Sequence, residues 1–134
     1  MKKVTMKNGE FLELFQGLNA VADLKGVKFG LLVSKNIKVL QEELADLEKA
    51  GNPSEEFVAL SQKMQSLVNR KDDEGIAALE AENKELIDAR HEQLAEVEAL
   101  MEENTEIKLH MVKEDLLPKD ITGAQIFNIS KILE

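Results

Sequence analysis

From Ile76 to Met101 the apolar residues return every three or four positions: Ile76, Leu79, Leu86, Leu94, Val97 and Met101. Asn83 and Arg90 fall inside the same stripe, and at about 100° per residue all eight lie within an arc of about 80°. Asp and Glu crowd the rest of that surface, so the stripe must meet another helix to be covered. A polar residue at a core position of paired helices sets register or partner number at some cost in stability. The pattern predicts a paired helix and a homo-oligomer whose interface is Leu79, Asn83, Leu86, Arg90, Leu94 and Val97.

The remaining chain supports one mainly helical domain over residues 1–134. Residues 2–7 (Lys-Lys-Val-Thr-Met-Lys) alternate polar and apolar, as a half-buried strand does. Asn8-Gly9 marks a turn. After it, a hairpin strand competes with a helix. Phe11, Leu14, Phe15, Leu18 and Val21 keep helical spacing for longer, which predicts a helix over 10–24. Phe29, Val33, Ile37, Leu40, Leu44 and Leu47 predict a second over 27–49, ended by Gly51-Asn52-Pro53. Ser54 caps a third over 54–70.

Residues 69–75 hold no apolar side chain, and an unbroken helix through them would rotate the stripe by about 80°. A break is predicted there, with the long helix over 75–103. Ile107, Leu109 and Met111 alternate with polar neighbours over 105–112, the clearest strand pattern in the chain. A lone strand is unstable, so this one is expected to pair antiparallel with 2–7. Thr122 and Gln125 have capping-box spacing and open a last, short helix over 122–133. The expected architecture is an antiparallel helical bundle or coiled-coil hairpin with a two-stranded antiparallel sheet.

Charge separates along the chain. Residues 1–38 carry seven Lys against three carboxylates, whereas residues 39–105 carry eighteen carboxylates against six basic groups, and the total is −9. An acidic body argues against DNA wrapping. No apolar run approaches the ~20 residues of a bilayer span, so no membrane association is expected. The start, MKKVTMKNGEF, has basic residues but no apolar h-region after them, unlike a signal peptide. With no Cys there is neither a disulfide nor a thiolate, which fits a cytoplasmic setting.

Few residue patterns carry chemistry. His91 and His110 lack zinc-ligand spacing, and Asp72-Asp73-Glu74-Gly75 lacks the alternating ligands of a calcium loop. The five Ser have no His at motif spacing, and the glycines form no phosphate loop. No catalytic residue, cofactor or metal is therefore expected. Lys25, Lys28, Lys35 and Lys38 share one broad arc of their helix. They read either as a solvated face paired with carboxylates or as contacts to a phosphorylated ligand. For the second reading the expected ligand-binding residues are Lys28, Lys35, Lys38 and Arg90. Without Tyr or Trp, stacking on a base would fall to Phe or Arg.

The layout resembles a group of small phage and prophage proteins that share a domain of unknown function. The resemblance rests on a short basic strand before a helix, on Ser34-Lys-Asn-Ile-Lys-Val-Leu-Gln-Glu-Glu43, and on Glu106-Ile-Lys-Leu-His110. It rests also on the ending Asp115-Leu-Leu with Ile121-Thr-Gly-Ala-Gln-Ile126. It implies a phage origin and a host-cytoplasm setting, and it assigns no site residue. The resulting expectation is a non-catalytic interaction or assembly-support protein acting through helical self-association, with a host or phage protein as possible partner. The alternative is an anti-defence protein that sequesters a phosphorylated signalling nucleotide at subunit interfaces.

Overall fold

The computed structural model describes residues 1–134. It is mainly α-helical with one two-stranded antiparallel sheet. The elements are β1 (Lys2–Lys7), α1 (Glu10–Val21), α2 (Val27–Gly51), α3 (Glu55–Asn69) and α4 (Asp73–Glu82). They continue with α5 (Lys84–Glu102), β2 (Asn104–Leu109) and α6 (Gly123–Asn128), and single 3₁₀ turns cover 114–116 and 130–132. The chain divides into two compact units where the sequence reads as one domain. Unit 1 is Met1–Glu48 with Leu100–Glu134, and unit 2 is Lys49–Ala99.

In unit 1 the expected strands pair in antiparallel register, with Val4 opposite Ile107 and Lys2 opposite Leu109. Alternation buries Met6, Ile107 and Leu109 and leaves Lys3, Lys7 and Lys108 in solvent. Helix α1 adds Phe11, Leu14, Leu18 and Val21 to the core, and α2 adds Phe29, Val33 and Leu40. Burying side chains of this size stabilises by about 1.5–3 kcal/mol each. Gly26, at φ +133, supplies the turn between these helices where a side chain would be strained.

Two buried asparagines complete backbone pairing that the short sheet leaves open. Asn8 donates its side-chain amide to the Leu100 carbonyl at 2.8 Å, while its N–H reaches Glu103 O at 2.9 Å and the Gly9 N–H reaches Met101 O at 3.0 Å. The turn after β1 thereby caps the C-terminus of α5. Asn36, on α2, bonds both backbone groups of His110: it donates to the carbonyl at 2.8 Å and accepts from the N–H at 2.7 Å. A fully buried side chain thus stands in for a strand neighbour at the end of β2.

The sheet strand is shorter than the alternation over 105–112 suggests. After Leu109 the chain turns to pair with its own C-terminal segment, where the Val112 N–H donates to Ile132 O and the Glu134 N–H to Val112 O. The final helix is shorter for the same reason. The capping box of Thr122 and Gln125 forms, but α6 stops at Asn128 and tightens into a 3₁₀ turn that delivers Leu133 to Val112.

In unit 2, Ser54 caps α3 by accepting from the Phe57 N–H. The expected break lies at 70–72. Lys71 takes a left-handed conformation at φ +56, its N–H bonds Val68 O, and the Asp72 N–H bonds Leu67 O. That is the Schellman pattern with lysine where glycine is usual. Asp72 then caps α4 by accepting from the Gly75 N–H at 3.0 Å. Lys71→Gly is expected to raise the unfolding midpoint by relieving about 1 kcal/mol of left-handed strain, read by urea denaturation.

The long helix predicted over 75–103 is two helices. Asn83 sits between α4 and α5 at φ −114, ψ 24, and its side chain turns back to donate to Leu79 O at 2.9 Å. The Asn83 backbone N–H keeps its bond to Leu79 O at 3.1 Å, so side-chain and backbone donors share one carbonyl, a local side-chain bond of the kind that bends a helix.

Candidate functional site

Among the expected ligand contacts, Lys28, Lys35 and Lys38 stand exposed on α2. None has a carboxylate within ion-pair distance: the three salt bridges of the structure are Lys3–Glu106, Lys7–Glu102 and Lys131–Glu10. The three are solvated, without the ion pairs that the solvated-face reading added.

Lys28 lines a concavity of about 410 Å³ in unit 1, together with Lys2 on β1, His110 at the end of β2, and Lys113 beyond it. Leu32, Met111 and Leu116 supply its apolar lining, and Glu134 is its one carboxylate side chain. Lys35 lies close enough to act on His110, whose pKa is held below its ordinary value by burial first and by the Lys35 charge second. Lys38, ten residues after Lys28, is turned from it by about 80° and does not line the concavity.

Arg90 does not join these lysines. It belongs to unit 2, where its guanidinium donates to the Gly51 carbonyl at 2.8 Å and to Gln93 Oε1 at 2.8 Å, and it sits 5.8 Å from the centre of the Phe57 ring. Gln93 in turn donates to the carbonyls of Ala50 and Asn52. Arg90 and Gln93 thereby cap the C-terminal end of α2, where a cation also meets the negative end of the helix dipole.

The other expected interface residues lie in unit 2 and are incompletely covered. Leu79, Leu86 and Val97 are half-buried, and Leu94 is 43% exposed. Beside them runs an open groove of about 530 Å³ between α3 and the α4–α5 pair, lined by Phe57, Leu60, Met64, Val68, Ile87 and His91. Asn83 lies at the helix break, with one side-chain N–H bonded to Leu79 O within its own chain.

Sequence reasoning did not select His110 and Lys113, although a signal was available. The predicted pairing of 2–7 with 105–112 already sets Lys2 beside the end of β2. No three His, Asp or Glu side chains converge as metal ligands. No family model, curated protein or solved structure matches the chain. No helix is long and apolar enough to cross a membrane.

Proposed function

We propose that this chain is a non-catalytic interaction protein that assembles with copies of itself through the helical face of unit 2. The supporting observation is an imbalance between apolar content and burial. Across residues 49–99 only Leu60 is buried, while Val58, Val68 and Leu94 remain 42%, 49% and 43% exposed. Unit 1 holds every other buried hydrophobic residue. A contiguous apolar face on a helical hairpin gains about 25 cal/mol per Å² when another surface covers it. A second copy supplies a matching face by symmetry.

Unit 2 carries twelve carboxylates against six basic groups. Like charge opposes the assembly, and salt screens that repulsion. Light scattering at micromolar concentration is expected to give a multiple of the 15.0 kDa subunit mass, increasingly so as salt is raised. The pair Val68→Glu and Leu94→Glu is expected to return the mass to one copy with helicity intact. A single-subunit mass at every salt concentration would sink the proposal. From the phage resemblance we extend the reading to an assembly or interaction role in the cytoplasm of an infected cell.

A further inference from the structure

We propose that the concavity bounded by Lys2, Lys28, His110 and Lys113 in unit 1 binds a phosphate-bearing anion with a small aliphatic body. This goes beyond self-association and does not depend on it. Four residues from three segments distant in sequence are gathered there: β1, α2 and the stretch that follows β2. All three lysines lack a carboxylate partner, in a chain with 26 carboxylates for 17 basic side chains. Cations left unpaired around one hollow repel each other, and a multivalent anion relieves that repulsion.

The first turn of α2, which carries Lys28, contains no acidic residue to offset its free amides, and this adds to the positive field. The lining by Leu32, Met111 and Leu116 accommodates an apolar body beside the phosphate. The His110 imidazole is the one aromatic ring at the hollow, with no Phe, Tyr or Trp beside it, so a nucleobase has little to stack on. An aliphatic phosphate monoester or a phospholipid headgroup therefore fits better than a nucleotide.

His110 is the built-in reporter. Asn36 clamps its backbone, so the ring is anchored at the rim. The charged groups around it are the Met1 ammonium, Lys2 from β1, Lys28 and Lys35 from α2, and Lys113 and Glu134 from the C-terminal segment. Burial and Lys35 favour the neutral imidazole. A bound anion favours the imidazolium, so the pKa rises on binding. Glu134 is the competing carboxylate, and its removal strengthens binding.

The experiment is an NMR pH titration of the two histidines with inorganic phosphate, with n-butyl phosphate, and with phosphatidylcholine vesicles containing phosphatidic acid. His91, in unit 2, is the internal control. We expect n-butyl phosphate to raise the His110 pKa and leave His91 unmoved, and to bind more tightly than inorganic phosphate. The exposed pair Lys28→Gln and Lys113→Gln should keep its circular dichroism and bind about tenfold more weakly, and Glu134→Gln should bind more tightly. A response to the vesicles alone would identify the lipid headgroup as the source of the phosphate. An unmoved His110 pKa with all three probes would overturn the proposal, and so would equal binding by the lysine double variant.

Discussion

Asn36→Asp is expected to destabilise the protein by about 4 kcal/mol at neutral pH, and by distinctly less near pH 5. Asn36 is fully buried and serves His110 as donor and acceptor at once. A carboxylate still accepts from the His110 N–H, but it faces the His110 carbonyl with a lone pair where the amide had a hydrogen. Desolvation and that repulsion raise the new carboxyl's folded-state pKa above its unfolded value of about 3.9. The penalty is therefore full above the folded-state pKa and shrinks as pH falls through it, because the protonated acid again donates. Urea denaturation of wild type and variant at both pH values reads the difference directly. An equal penalty at both would show that the amide is not the strand surrogate the geometry describes.

Gly17→Val should cost about 3 kcal/mol and loosen α6 from α1. A helix-interior glycine is ordinarily less stable than alanine by about 1 kcal/mol, so filling it normally helps. Here a Cβ on Gly17 would lie 2.9 Å from the backbone carbonyl oxygen of Asn128 and 3.1 Å from its Cβ. Backbone cannot yield as a flexible side-chain end does, so α6 must move. The displaced segment carries Ile129 and Ile132, both fully buried, into the core. Hydrogen exchange at their amides should accelerate before the rest of unit 1. Gly30→Ala is the control: nothing lies within 4 Å of a Cβ there, and a gain of up to about 1 kcal/mol is expected. A valine variant at Gly17 as stable as wild type would contradict the close approach.

Much of the fold was legible because it follows local rules. The alternation in 2–7 and 105–112 and the lack of any other strand candidate led to the observed pair, and Ser54, Thr122 and Gln125 announced their caps. The errors trace to side-chain amides. Asn83 has stripe spacing, and a wheel does not reveal that its side-chain amide joins its backbone N–H on the Leu79 carbonyl where the backbone angles leave the helix. Asn36 lies three residues after Val33 and four before Leu40, well inside the core arc. Its role depends on His110, 74 positions away, which no local pattern encodes.

The candidate site was legible only in part. Lys28 and Lys35 were visible as basic residues on one arc of a helix, but their neighbours come from strand register and from the return of the C-terminal segment to Val112. Arg90 has seam spacing, and no helical wheel reveals that it donates to the Gly51 carbonyl at the end of α2, 39 positions away.

The sheet has one strand from each extremity of the chain, and Asn8 and Thr105, bonded to each other, are 97 positions apart. No fragment that stops short of residue 104, and none that starts after residue 7, contains both strands. An incomplete product leaves one amphipathic ribbon without its mate, baring the apolar side of Met6 or of Ile107 and Leu109, the sort of surface that drives clumping and invites proteases. The seam is thus hidden only in a chain that holds both residues 2–7 and residues 104–109.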